Sequence, residues 1–234
     1  FLPWLYDAGR GYAVSRSFSA NTDHLDVASA VVPTPGTKSC TISVWIKSGD
    51  VSSGHIFNVG VGGTSNNRIT LNLPGLNAVE REASAQGVGV ATASPSVGVW
   101  GLCTGVFTSD SSRDCFFNGA NKGSSTTAIA PSSFTATRVS GNLSVTPGLP
   151  LLSGTLLAHI GIWDIVLSDA EILSLYTQKP DTVQSGSLIE YWPLTGNQSP
   201  EPSSGSHATS LTVTGTTFST DDPFTSVSIA WIRA

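Results

Sequence analysis

Apolar and polar residues alternate with a period of two along most of this chain, the pattern of strands with one buried face. The alternation predicts strands near 13–18, 24–28, 41–47, 55–61, 67–73, 77–82, 87–92, 98–107, 113–118, 136–145, 154–163 and 188–192. Within 41–47, Ile42, Val44 and Ile46 share one face and Trp45 takes the other. Within 154–163, strict alternation puts Leu156, Ala158, Ile160 and Ile162 on one face, and Leu157, His159, Gly161 and Trp163 on the other. Trp45 and Trp163 are therefore expected outside the main core, in a satellite cluster under a helix and long loops. The period changes once. Ser168 and Glu171 make an S-x-x-E capping box, in which each side chain satisfies an amide at a helix start. Ile172, Leu175 and Tyr176 then give one apolar stripe, predicting a short helix near 168–177. So short a helix does not hold alone in water and must lie on a sheet. Beyond it, Ser187–Leu194 reads as a strand, Thr195–Ser210 as a polar loop, and Leu211–Phe218 alternates again. The fold class is all-β: two facing antiparallel layers with one small helix across them.

These elements resemble the laminin-G-like jelly rolls of the concanavalin A-like lectin/glucanase superfamily, over roughly residues 15 to 177. The resemblance runs in order through Phe18–Val27, then Cys40–Lys47, then Val99–Phe107 with Arg113–Gly119. It ends on Gly154, Leu157, Ile160, Ile162 and Trp163, followed by Leu167, Ser168, Glu171, Ile172, Leu175 and Tyr176. Ala20 stands where that pattern usually has Gly, and His24 where it has an aromatic. The segment Leu188-Ile-Glu-Tyr-Trp-Pro-Leu-Thr-Gly-Asn-Gln-Ser-Pro-Glu-Pro202 is similar to a tail attached to such domains in phage structural proteins. What this implies is a virion structural protein of a bacterial virus: a capsid decoration, fibre or tail-associated jelly roll. Its partners would be other virion proteins or copies of itself, with possible adhesion to a surface glycan. The alternative implied by the superfamily is a secreted or cell-surface carbohydrate-binding module. The expected locations are the virion, after folding in a host cytoplasm, or the extracellular space.

Composition narrows the function by exclusion. Only 12% of residues are charged and the net charge is -5, which disfavours nucleic acid, since that partner requires a basic stripe. The clustered basic residues that recruit anionic lipid are missing, and no apolar run reaches membrane-spanning length. Phe1 cannot be an initiator and no amino-terminal signal segment is visible, so the start is expected to be trimmed or processed. Cys40, Cys103 and Cys115 are an odd set. With a turn at residues 110 and 111, Cys103 falls opposite Asn118, so no pair is directly opposed as a disulfide needs. Buried free thiols are expected.

Candidate chemistry is sparse. Glycanases of the resembled superfamily carry an acidic strand motif, E-x-D-x-E or similar, which has no counterpart here. Glu80 and Glu82 form an i, i+2 pair whose separation could suit an inverting glycosidase. Arg81 intervenes and no third acid follows, so a solvated edge or outward face is expected and no catalytic residue is assigned. The four histidines, His24, His55, His159 and His207, lack zinc-ligand spacing, and His159 is expected outward or half-buried. No cofactor is expected, except that the resemblance allows a structural Ca²⁺ at the sandwich rim. Asp23 is its leading ligand candidate, with Asp26 on the same first hairpin and Asn66, Asn67, Asp110 and Asp114 on expected rim loops. Both ends are apolar. Phe1, Leu2, Trp4 and Leu5 precede the jelly roll, and Val227, Ile229 and Trp231 alternate in a closing strand. These residues are the expected assembly contacts, docking either on the domain itself or on a neighbouring subunit. The domain plan is an arm over 1–12, the jelly roll over 13–224 and a second arm over 225–234.

Overall fold

The computed structural model describes residues 14–32, 39–64, 66–144, 148–151, 153–195 and 199–224. The proposed contact residues Phe1, Leu2, Trp4, Leu5, Val227, Ile229 and Trp231 lie outside the described residues. In chain order the strands are β1 (Ser15–Phe18), β2 (His24–Val27), β3 (Cys40–Lys47), β4 (Gly54–Gly60) and β5 (Arg68–Leu73). Next come β6 (Asn77–Glu82), β7 (Ala85–Val90), β8 (Trp100–Ser109), β9 (Ser112–Phe117) and β10 (Gly123–Ser125). The remainder are β11 (Ala136–Val139), β12 (Thr155–Trp163), β13 (Leu188–Trp192), β14 (Thr212–Thr214) and β15 (Thr217–Ser219), with a helix α1 (Asp169–Ser174) after β12. All twelve expected strands are present. β10 was not expected, and β11 stops at Val139, because Ser140 and Gly141 turn to positive φ and end the extended run.

The strands form two antiparallel sheets. The eight-stranded sheet has the order β10-β9-β8-β3-β12-β1-β15, with β13 beside the second half of β12. The seven-stranded sheet has the order β14-β2-β11-β4-β5-β6-β7. Between them lies the core: Ile42, Val44 and Ile46 of β3 meet Leu25, Phe57, Val59, Ile69 and Leu71 from the facing sheet. The segment after α1 belongs to both layers, since β13 and β15 join one sheet and β14 the other. Arg16 and Glu201 tie it down in a buried ion pair of 2.8 Å.

The outer face of the eight-stranded sheet carries a second apolar cluster. Trp45, Leu102, Phe116 and Trp163 lie there under Leu167, Ile172, Leu175 and Val183, as the tryptophan positions predict. Trp163 Nε1 donates to the Val183 carbonyl at 2.8 Å, and Tyr176 stacks on Trp45 with ring centroids 5.4 Å apart. The capping box is formed: Glu171 N donates to Ser168 Oγ, and Ser168 N to Glu171 Oε2. Ser168→Ala is expected to cost about 1 kcal/mol, read as a lower urea midpoint with an unchanged m value.

Two bulges correct the expected alternation. On β12, Ala158 pairs with Trp45 but Gly161 pairs with Ser43, so one extra residue is accommodated at His159, whose φ is 50°. The phase flips there. Leu157, Ile160 and Ile162 face the core, while Ala158 and Trp163 face outward. On β8 the register shifts between Phe107 and Ser109, so Cys103 pairs with Phe117, not Asn118, and Cys115 with Gly105. All three cysteines are free and buried, and burial pushes the Cys40 and Cys115 thiols up to about 12.

Candidate functional site

The helix and residues 164–188 seal one outer face; the other, on the seven-stranded sheet, is buried at His55, Asn58, Arg68, Thr70 and Val79 and reaches solvent around Asp26, Asn72, Asn77, Arg138 and Thr212. The positions there alternate with the core residues and are mostly polar. Cross-strand register aligns them into rows. One row is Thr212, Asp26, Arg138, Asn58, Thr70, Val79 and Val88. To one side Arg68 pairs with Arg81, and to the other His55, Asn72 and Asn77 line up. No aromatic side chain stands in these rows, and Asp26 is their one carboxylate.

The centre of the face is rigid because its polar groups are buried and bonded. Asn58 Nδ2 donates to the Gly141 carbonyl at 2.7 Å, which leaves its Oδ1 to accept from His55 Nδ1 at 3.1 Å. The neutral imidazole thus carries its proton on Nδ1. Burial lowers the His55 pKa to about 4, with the nearby Arg68 and Arg81 charges acting the same way. Burial, then Arg81, also lowers Arg68 to about 10.

At the β2–β11 end the face opens into a cleft of about 380 Å³, walled by residues 62–63 and 143–144 and floored by Ala136 and Arg138. Asp26 Oδ2 accepts from Arg138 Nη2 at 3.1 Å and lies 3.6 Å from His24 Nε2. Arg138 Nη1 donates to the carbonyls of Asn142 and Ser144 at 2.8 and 3.1 Å. Its Nε is buried and lacks a hydrogen-bond partner. Arg138, Asn58 and Thr70 were not singled out from the sequence. The polar alternation in Arg-Ile-Thr-Leu-Asn-Leu (68–73) is a visible signal for this face, but the strands beside it are not.

Residues that were singled out are placed as follows. Asp23 is buried, and its Oδ2 accepts from Ser19 N, Ser19 Oγ and Ala20 N at 2.7, 3.2 and 3.0 Å. It closes the β1–β2 turn. Asp26 is engaged with Arg138, and Asp114 with Lys122. Among the described residues no group of three or more His, Cys, Asp or Glu gathers for a metal. Glu80 is not on a solvated edge. It is 4% exposed and faces inward, where Arg113 Nε donates to its Oε2 at 2.6 Å. The reason lies on β7: Gly87 lacks a side chain where a Cβ would stand 1.8 Å from Arg113 Nη1, so the guanidinium can pass between the sheets. Glu82 remains at the exposed strand end. His159 is buried rather than outward, tucked by its bulge against the Tyr191 hydroxyl at 2.8 Å.

The profile of the family described as the concanavalin A-like lectin/glucanases superfamily, of laminin-G type, matches residues 19–173. No curated protein matches the chain in sequence. Among solved structures, the SAP-like pentraxin of Limulus polyphemus superposes with a TM-score of 0.55 at 18% identity, covering 71% of this chain and 83% of its own. The CBM40 of the Ruminococcus gnavus IT-sialidase, bound to α2,3-sialyllactose, gives 0.54 at 14% identity, covering 69% and 95%. Domain 4 of the arabinanase AbnA from Geobacillus stearothermophilus, in complex with arabinotriose, gives 0.56 at 15% identity, covering 69% and 76%.

Proposed function

The chain belongs to the concanavalin A-like lectin/glucanases superfamily, and from that premise we propose that it is a non-catalytic carbohydrate-binding domain using the outer face of its seven-stranded sheet. The observation that carries this reading is the contrast between the two outer faces. One is sealed by α1, while the other carries polar rows whose centre, Asn58 and His55, is buried and hydrogen-bonded and whose Asp26–Arg138 pair is partly exposed at a cleft. Polar groups ordered before the ligand arrives bind at lower entropic cost. Structural neighbours whose names carry a saccharide support the same reading. Glycoside hydrolysis needs two carboxyl groups flanking the bond. The rows hold Asp26 alone, and Glu80 is committed to Arg113 inside the sandwich.

The test is a glycan array with the intact chain, followed by calorimetry and by hydrogen exchange with and without the best glycan. Binding without release of reducing ends is expected, with protection on β2, β4, β5 and β11. Hydrolysis of the bound glycan, no binding to any glycan, or protection confined to the α1 side would each overturn the reading. A second reading, a structural protein of a bacterial virus particle, is supported by the resemblance of residues 188–202. In that role the apolar ends would contact other virion proteins or further copies, and a glycan-binding face could serve adhesion. Co-purification with particles, lost on trimming residues 1–12 or 225–234, tests it.

A further inference from the structure

We propose that the cleft beside Asp26 is a subsite for a neutral sugar ring presenting two adjacent hydroxyls. This rests on the carbohydrate-binding reading of the same face and assigns it a ligand class. The cleft volume of about 380 Å³ accommodates one or two sugar rings, within the usual range of small-ligand sites. Its most accessible ionic group is the Asp26 carboxylate, whose side chain is 32% exposed, against 13% for Arg138. A carboxylate only accepts hydrogen bonds, through two oxygens, which suits donation from neighbouring ring hydroxyls. Arg138 holds that acceptor in place, and is itself fixed by the carbonyls of Asn142 and Ser144. The arrangement leaves Arg138 Nε buried without an acceptor, an unmet donor of the kind folds normally avoid. Such a residue is better explained by the position its guanidinium must hold than by stability. Ala28, Ala136 and Leu143 add apolar wall for the C–H face of a ring.

Charge sets the ligand class. Among the described residues, the one formal positive charge lining the cleft, Arg138, is already paired with Asp26 at 3.1 Å, and the more exposed member of the pair is the anion. An acidic sugar would place its carboxylate against Asp26, so it gains nothing here.

The test uses the intact chain with methyl glucoside, methyl mannoside, methyl galactoside and methyl arabinoside as neutral probes, and methyl glucuronide as the anionic one, followed by NMR titration. At least one neutral glycoside is expected to bind. Asp26→Asn is expected to weaken that binding at least about tenfold, the scale of a hydrogen bond to a charged group, and removing either diol hydroxyl from the probe should do the same. Ala28→Trp fills the cleft while leaving the ion pair intact, and should abolish binding even if Asp26→Asn folds poorly. The glucuronide should bind no tighter than the glucoside. Neutral binding untouched by Ala28→Trp would overturn the cleft assignment while leaving carbohydrate binding in place. Tighter binding of the glucuronide would overturn the ligand class, and failure of every probe together with a blank glycan array would overturn both.

Discussion

Arg113→Met is expected to lower the unfolding free energy by about 3–5 kcal/mol, the cost of removing one partner from a buried ion pair. Arg113 is fully buried and joins the two sheets at one edge of the sandwich, since it stands on β9 and Glu80 on β6. Its guanidinium also donates to the carbonyls of Asp110 and Thr127 at 2.9 and 2.8 Å and to Ser125 Oγ at 3.3 Å. Methionine fills much of the volume but leaves a buried carboxylate and two carbonyls without their donor. Burial already pushes Glu80 up to about 7 in spite of Arg113, so the carboxylate has little other help. Glu80→Gln should cost less, about 1–3 kcal/mol, because Arg113 keeps its carbonyl bonds and a neutral acceptor. Urea unfolding of both variants at pH 7.5 measures the order. A methionine variant within 1 kcal/mol of the native protein, or a larger loss for Glu80→Gln, would refute this account of the edge.

The same site shows where sequence reading stops. Strand periodicity placed Glu80 and Glu82 on one face, and that is correct: both share the inward parity of Ala78. What periodicity could not supply was the neighbour. Gly87 and Gly89 two residues apart on β7 were a visible sign of close backbone approach, yet nothing local says that an arginine from the other sheet fills the space. Local signals were legible wherever the deciding interaction is local: the Ser168–Glu171 box, the alternation of β3, and a Trp163 stranded outside the core. The bulge at His159 was not. It depends on β12 pairing β3 along one edge while changing partner from β1 to β13 along the other. Likewise the polar rows across β2, β11, β4 and β5 join residues far apart in sequence. Asp26 and Arg138 are 112 positions apart and meet only because β11 inserts between β2 and β4. Asp23, singled out as a candidate calcium ligand, accepts from the Ser19 and Ala20 amides of the β1–β2 turn, bonds that its sequence neighbours alone do not announce.

His159→Asn is expected to flatten the acid side of the stability profile by about 2–3 kcal/mol between pH 7.5 and 4.5. The imidazole sits in the β12 bulge, 3% exposed, with Tyr191 beside it and the Phe224 ring 5.0 Å away. Burial, aided by the positive charge of Lys179, lowers its pKa to about 4. Burial also raises the Tyr191 phenol, with Asp181 and Asp222 adding to the effect, so the hydroxyl keeps its proton in its 2.8 Å hydrogen bond with His159 Nδ1. Above pH 6.5 the histidine is neutral in both states and pH changes nothing. Between 6.5 and 4 the unfolded chain takes up the proton and the folded one does not, so stability falls as pH falls through that window. Glu80 and Glu201, both raised by burial, take up protons in the folded state and work against this loss. The difference between native and variant profiles removes their contribution, and that of His55, which the variant retains. Asparagine tolerates the positive φ of this position, so its packing cost enters as an offset that does not vary with pH. Urea midpoints measured at one-unit intervals should therefore converge as the buffer is acidified. Parallel curves would mean that His159 is already protonated, or already exposed, in the folded protein.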